Sequence, residues 1–387
     1  MIDTVLQPPA SLILLKGKLT FFVSFDIGSE VDKATLSSIF HVQTGTEYSK
    51  PVEVPQGALT GLIVSEKLNK ITSVQAFADI YAMGVGIIRL EFDVPEGMAV
   101  SDLITAMHIN GIFCDGLDMN TYIARKMGEV RDQTRVGIRA GAKPAAIKSA
   151  APKAKAYFPQ TKKFSMLRLE KYTPPVDQGE LKAQFGAEIT RFLSGESSPR
   201  TLHGKEIADK LSHDISYYDE DLFLVSYEAA FVKGCDDYLN DIRLYLELGL
   251  ALSFLYHIYD WKIDAEIGQA FKAIKTAQKS TIFTQAPRRL ERSLLKVSEF
   301  KLDILDNLED LTNPLKVTSD WYYQGAYEHI LKLLKVKDYE DIVTHKIDAL
   351  EDLYSTAQEI SYSKIALITE IIIILLIAFE VIVFLPH

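Results

Sequence analysis

The chain has 387 residues, of which 48% are hydrophobic, and its 42 Lys and Arg against 52 Asp and Glu give a formal net charge of −10. The hydrophobic fraction excludes a largely disordered protein, and the acidic balance argues against a protein that binds nucleic acid over its whole surface. Two cysteines are too few for a disulfide scaffold or a four-thiolate metal site, which fits a reducing compartment.

Residues 1–120 are predicted to form a small α+β domain. Apolar and β-branched runs predict strands at residues 19–27, 58–64, 76–83 and 85–93. A short helix is predicted at 31–40, and Ser101 and Asp102 cap a second helix that runs to about residue 109. We expect a small sheet with helices packed on one side. The first fifteen residues contain no Lys or Arg, so neither a secretory signal nor a transit peptide is expected.

Residues 121–171 are predicted to be a basic linker rich in Ala, Lys and Pro. They contain thirteen Lys and Arg against three acids, a local charge of +10 that leaves −20 for the rest of the chain. Three roles are open for this segment: neutralisation by the protein's own acidic helices, contact with RNA or the ribosome, and contact with anionic lipid headgroups. The predicted contact residues are Lys143, Lys148, Lys153 and Lys155.

Residues 172–364 are predicted to be mainly helical. Two stretches repeat apolar residues at the spacing of a coiled-coil seam. The first seam contains Leu290, Val297, Ile304 and Leu311, and the second contains Val343, Ile347, Leu350, Tyr354 and Ala357. Asn313 and Pro314 separate the two seams, because proline disfavours helix at the residue before it. We therefore expect an antiparallel helical hairpin.

The most apolar part of the chain is residues 365–385. These 21 residues are interrupted only by Thr369, Glu370 and Glu380, and as a helix they would span about 32 Å, close to the ~30 Å hydrocarbon core of a bilayer. They predict one C-terminal transmembrane helix, with the bulk of the chain on the cytoplasmic side. Because an acid in lipid is costly, Glu370 and Glu380 are predicted to contact a neighbouring helix, or else to reach the membrane interfaces.

Several segments occur in an order that is typical of one protein family. Tyr81 to Arg89 ends the α+β part, Asp219-Glu220-Asp221 opens the helical half, and Asp320-Trp321-Tyr322-Tyr323 precedes the long helix that leads into the apolar run. From about residue 80 onward the chain resembles the "required for meiotic nuclear division" family, which includes the Rmd and Sif proteins. Asp320, Trp321 and Tyr322 match the turn of that family, and Glu370 and Glu380 match its two intramembrane glutamates.

The resemblance implies a membrane-anchored protein without established catalytic residues, and oligomers in several members. A mitochondrial member is implicated in translation, which implies ribosome tethering. We therefore predict a non-enzymatic, tail-anchored membrane scaffold or tether without a cofactor, which supports ribosome or translation-related assembly. Its predicted partners are the lipid bilayer, a second copy or another protein, and RNA or the ribosome. Without a transit peptide, the mitochondrial inner membrane is the less expected location.

The alternative function is a membrane-bound hydrolase or a metal-dependent enzyme. His257, Asp260 and Asp264 share one helical face and could bind a divalent metal, although a solvated polar face explains them equally well. His108 and Cys114 lie close in sequence and could form a nucleophilic or metal site. The alternative is that His108 ends a helix and Cys114 fills space in the core as a small apolar residue. The sequence contains no phosphate-binding glycine loop.

Overall fold

A computed structural model describes residues 11–28, 49–52, 61–63, 74–81, 83–106, 112–114, 117–141, 157–198, 200–279, 295, 297–298, 301–302 and 312–384. The chain divides into two compact units. The first unit comprises residues 1–255 and 314–336, and the second comprises 256–313 and 337–387. Strands and helices are both present, so the chain is a mixed α and β protein.

The strands lie in the first unit. They are β1 (Ile13–Asp26), β2 (Ser49–Val52), β3 (Gly61–Ile63), β4 (Val74–Tyr81), β5 (Val85–Asp93), β6 (Met98–Ala99), β7 (Ile112–Cys114), β8 (Leu117–Asp118), β9 (Lys162–Thr173), β10 (Leu222–Val225) and β11 (Ala229–Lys233). The large sheet has the order β10-β11-β9-β1-β5-β4-β2, with β6 also paired to β1. Its pairs are antiparallel except for β9 and β11, and β3, β7 and β8 form a second, small sheet.

The helices belong to both units. They are α1 (Val100–Ala106), α2 (Met119–Gly141), α3 (Gln178–Leu193), α4 (Gly204–Ser212), α5 (Leu239–Lys279), α6 (Pro314–Val317), α7 (Trp321–Leu333) and α8 (Val336–Phe384). Helices α5 and α8 each begin in the first unit and continue into the second.

Strand β1 is buried on both faces of the large sheet. Phe21 belongs to the core that also contains Tyr122 of α2 and Phe185 of α3. The opposite face carries Lys162 at the start of β9, which donates a hydrogen bond to Ser253 of α5. Helices therefore cover both faces of the sheet, whereas the sequence analysis placed them on one. The reason is the run of successive apolar residues in β1, because a strand without alternation must be buried on two sides.

The basic segment contributes to helix and strand at its two ends. Helix α2 reaches Gly141, and β9 begins at Lys162 and pairs with β1 over most of its length. Residues 142–156 lie outside the described part of the chain. Strands from before and after this segment therefore lie side by side in one sheet.

The second unit contains the predicted helical seam on α8. Its residues Val343, Ile347, Leu350, Tyr354 and Ala357 are buried, as the heptad spacing predicts. Of the other predicted seam, Val297 is buried, while Leu290, Ile304 and Leu311 lie outside the described residues. The Lys301 ammonium contacts the carboxylates of Asp348 (2.7 Å) and Glu351 (3.0 Å) of α8.

The predicted transmembrane helix is wrong for the part of the chain that the structure describes. Within that part, no helix carries an apolar stretch long enough to cross a membrane. Glu370 and Glu380 interrupt the apolar residues at this end of α8. The prediction of a tail-anchored, integral membrane location is corrected with it.

Candidate functional site: an aromatic surface on the first unit

Five aromatic side chains from three separate segments meet on the first unit. Tyr217 and Tyr218 lie in the loop between α4 and β10, Tyr238 precedes α5, and Trp321 and Tyr322 begin α7. The ring centre of Tyr217 lies 4.7 Å from that of Tyr218, 4.6 Å from that of Tyr322 and 6.2 Å from that of Tyr238, with the planes strongly inclined. Such edge-to-face contacts are favourable for aromatic pairs. We call these five residues the aromatic surface.

A tight turn before α5 positions Tyr238. Gly234 and Cys235 both have positive φ angles, of 72° and 66°. A Cβ atom at Gly234 would lie 2.3 Å from the carboxylate of Asp221, so glycine is needed at this close approach. The carboxylate accepts hydrogen bonds from the Cys235 N–H (3.0 Å) and the Tyr238 hydroxyl (2.8 Å). Asp221 thereby holds the unfavourable backbone of Cys235 in place.

Further hydrogen bonds join the other two segments. The Tyr217 N–H donates to the Tyr238 hydroxyl oxygen (3.1 Å), and the Tyr322 hydroxyl donates to the Ile215 carbonyl (2.7 Å). Asp320 caps α7, because its carboxylate accepts from the N–H of Tyr322 (2.9 Å). The loop, the turn and the start of α7 therefore form one hydrogen-bonded assembly.

The outer part of this assembly is open to solvent. The exposed fraction is 74% for Trp321, 55% for Tyr218 and 47% for Tyr217. A cluster of exposed aromatic side chains of this kind is typical of a protein interaction site. The predicted turn residues Asp320, Trp321 and Tyr322 thus lie on an exposed surface next to aromatic side chains that the sequence analysis did not connect with them.

The Tyr238, Tyr322 and Cys235 side chains of the assembly are uncharged at neutral pH. Burial raises the pKa of the Tyr238 and Tyr322 hydroxyls well above the ordinary value, so both remain protonated and able to donate. Burial likewise raises the pKa of the Cys235 thiol to about 12. Because the thiolate is the nucleophilic form of cysteine, Cys235 is not an activated nucleophile at neutral pH. The arrangement favours recognition over chemistry.

Acidic side chains flank the exposed rings. Asp219 and Glu220 follow Tyr218, Asp237 precedes Tyr238, and Asp320 precedes Trp321. All four are exposed. Among the described residues, no Lys, Arg or His forms an ion pair with the side chain of Asp219, Glu220 or Asp237. The surface therefore combines aromatic rings with negative charge.

A second polar cluster of the first unit is buried between the large sheet and α5. We call Asp79, Arg89, Glu91, Arg243 and Glu247 the buried ion network. Arg89 donates to Glu247 (2.8 Å) and contacts Glu91 (3.0 Å) through its Nε, and the Nε of Arg243 lies 3.5 Å from Glu247. Glu247 is 1% exposed, so its negative charge is compensated by the two guanidinium groups and not by water.

Two further groups complete the surroundings of Glu247. The Tyr81 hydroxyl donates to its second oxygen (3.3 Å), and Asp79 lies 3.7 Å from the Arg89 guanidinium. Burial, together with the nearby charge of Glu247, raises the pKa of Asp79 to about 7. Buried titratable groups of this kind occur in active sites, but here the charged groups contact one another, and their contacts join strand to helix.

The predicted metal site on α5 is filled by an ammonium group. The Nζ of Lys346 lies 2.6 Å from the carboxylates of both Asp260 and Asp264, and the ring of His257 packs on that of Tyr339 at 4.3 Å. A dication at these carboxylates would be repelled by Lys346. In the described residues, no group of three or more His, Cys, Asp or Glu side chains is placed to hold a metal ion.

The remaining predicted site residues fall in three places. Glu370 and Glu380 are exposed on α8. Cys114 lies in β7, and His108 is outside the described residues. The predicted contact residues of the basic segment, Lys143, Lys148, Lys153 and Lys155, also lie outside them. RNA or ribosome contact through these lysines therefore stays a prediction.

Sequence reasoning missed most of the aromatic surface and the buried ion network. The run Tyr217-Tyr218-Asp219-Glu220-Asp221 joins aromatic and acidic residues and could have suggested a recognition loop. Polar residues at alternate positions of predicted strands, such as Asp79 in β4 and Arg89 and Glu91 in β5, could have suggested a charged sheet face. Nothing in the local sequence indicated that Glu247 would lie against them.

Comparison with known proteins gives one match. Neither the curated proteins nor the solved structures include one that the chain matches. A family model described as "Uncharacterized protein MJ0711, N-terminal domain" matches residues 16–238, more than half of the chain, and these residues lie in the first unit. This match does not test the resemblance to the "required for meiotic nuclear division" family, which stays a prediction. The chain belongs to the family of the MJ0711 N-terminal domain.

Proposed function

We propose that this protein is a non-enzymatic scaffold that binds a partner protein through the aromatic surface of its first unit. The observation that carries the proposal is the exposure of Trp321, Tyr218 and Tyr217 beside Tyr238, which is buried, and Tyr322, which is half-buried, both of them hydrogen-bonded. A rigid aromatic side chain loses little conformational entropy when it is covered, which makes it an efficient anchor at an interface.

The second unit supplies a second surface for such a scaffold. Apolar side chains on α8 between residues 365 and 381 are exposed around the helix, and they include Leu375, Leu376 and Phe379. Extended apolar surface of this kind mediates association with other chains. The scaffold associates with a second copy along this part of α8, where Glu370 and Glu380 limit the apolar stretch.

Site-specific photo-crosslinking tests the aromatic surface. Benzoylphenylalanine replaces Tyr218 or Trp321 in the full-length protein, and the matched control carries it at Phe271, an exposed aromatic residue of the second unit. We expect both test positions to give an adduct with the same partner and Phe271 to give no such adduct. Equal adducts at all three positions, or none at Tyr218 and Trp321, would contradict the proposal.

Light scattering after size-exclusion chromatography tests the second surface. Leu375→Gln places a polar group in the middle of the exposed apolar stretch and should lower the average mass of the full-length protein. Leu302→Gln is the control, since Leu302 is similarly exposed and lies outside α8. The same mass for both variants and the unmodified chain would rule out self-association through this stretch.

A further inference from the structure

The aromatic surface has the chemistry of a site for arginine side chains. The rings of Tyr217 and Tyr218 are inclined at 88°, and those of Tyr217 and Trp321 at 48°, so π faces point in several directions on a small area. The negative face of an aromatic ring attracts a cation placed over it, most strongly for Trp. A planar guanidinium can also stack on such a ring, which an ammonium group cannot.

The charge around the rings selects the same class of ligand. Asp219 and Glu220 adjoin Tyr218, and Asp320 adjoins Trp321, with all three side chains exposed. A carboxylate beside an aromatic face can accept the N–H groups of a guanidinium while the ring covers its plane. The same carboxylates repel phosphate groups, which disfavours RNA and anionic lipid at this surface.

The aromatic surface is large enough to contact more than one side chain of a ligand. Exposed rings come from two segments that lie about 100 residues apart in sequence, Tyr217 and Tyr218 in one and Trp321 in the other. A single arginine covers one ring, so several rings with separate carboxylates suit a chain with repeated positive charge. Recognition by successive cation–π and charge-assisted contacts adds affinity in small steps along such a chain.

We infer that the aromatic surface binds an arginine-rich polypeptide segment of the partner protein, an inference that rests on the proposed scaffold function and defines its ligand. Trp321 is the main anchor, Tyr217 and Tyr218 supply further ring faces, and Asp219 and Asp237 supply the countercharge. The buried Tyr238 and the half-buried Tyr322 hold the rings in place through their hydrogen bonds to Tyr217 and Ile215.

Fluorescence anisotropy with a labelled peptide tests this inference on the full-length protein. The probe is a dodecapeptide of alternating Arg and Gly, and the control peptide carries citrulline, which keeps the planar group and loses the charge. We expect the arginine peptide to bind about tenfold more tightly than the citrulline peptide, and to weaken as salt rises. Equal binding of the two peptides would overturn the inference.

Variants locate the site. Trp321→Ala and the double variant Asp219→Asn, Asp237→Asn should each weaken the arginine peptide about tenfold, whereas Phe271→Ala should leave its affinity unchanged. The inference is overturned if Trp321→Ala binds the arginine peptide like the unmodified chain. It is also overturned if a labelled uridine oligonucleotide or a labelled proline-rich peptide binds the protein and the arginine peptide does not.

The two proposals fail in distinguishable ways. A partner adduct at Trp321 without arginine-peptide binding leaves the scaffold function standing and rejects the arginine-rich ligand. Absence of both the adduct and peptide binding rejects both.

Discussion

The buried ion network and the aromatic surface, both in the first unit, have opposite properties. The buried ion network places three carboxylates and two guanidinium groups between sheet and helix, where Glu247 is almost completely excluded from water. The aromatic surface places three exposed rings beside exposed acids. The buried charges determine how the sheet and the helix pack against each other. The exposed aromatic area is available for contact with a partner.

The largest expected effect comes from the buried ion network. Glu247→Gln leaves Arg89 and Arg243 without their shared buried carboxylate, so we expect the first unit to lose about 3 kcal/mol of its free energy of unfolding. Urea unfolding of the full-length protein measures this loss. Glu266→Gln is the matched control, because Glu266 is an exposed glutamate of the same helix. Equal stability of the two variants would show that the network contributes nothing to stability.

The pH dependence of stability is the next largest effect. Asp79 has a pKa of about 7 in the folded chain against 3.8 ordinarily, so the folded state holds a proton that the unfolded state releases between these values. This contribution is present at low pH and is lost as the pH rises to about 7, with a slope of at most about 1.4 kcal/mol per pH unit. Asp79→Asn should flatten that part of the stability profile. An unchanged slope in the variant would assign it to other groups.

A moderate effect is expected at the Tyr322 hydroxyl, which lies deeper in the aromatic surface than that of Tyr218. Tyr322→Phe removes the hydroxyl that donates to the Ile215 carbonyl and should cost about 1 kcal/mol in unfolding free energy. Tyr218→Phe is the control, since its side chain is largely exposed and no described group accepts from its hydroxyl. Similar losses of unfolding free energy in both variants would mean that the hydrogen bond from Tyr322 to the Ile215 carbonyl does not stabilise the fold.

The smallest effect on stability is expected at the most exposed ring. Trp321→Ala should change the unfolding free energy by less than about 0.5 kcal/mol, because a side chain that is 74% exposed buries little area on folding. Its effect should instead appear in partner and peptide binding. A large loss of stability in this variant would show that Trp321 stabilises the fold, as the buried ion network does, and would contradict the difference between the two regions.

Several elements could be predicted because their signals are local. The apolar and β-branched run of residues 85–93 predicts a strand with the bounds that β5 has, and the heptad spacing on α8 identifies residues that are buried, such as Ile347 and Leu350. The length and hydropathy of residues 365–385 predicted a membrane span, which is wrong for the described part of the chain, where Glu370 and Glu380 interrupt the apolar residues of α8.

Local chemistry therefore accounts for where strands and helices form, and for single features such as the cap at Asp320, whose carboxylate needs only the N–H groups of the next turn. Packing of distant segments accounts for the rest. Tyr217 meets Trp321 across about 100 residues, and Arg89 meets Glu247 across 158, so neither contact leaves a pattern in a short window of sequence. Such pairs form because the burial of apolar area on both faces of the sheet offsets the entropy cost of closing a long loop. Both terms depend on the fold of the whole chain and not on a short window of sequence.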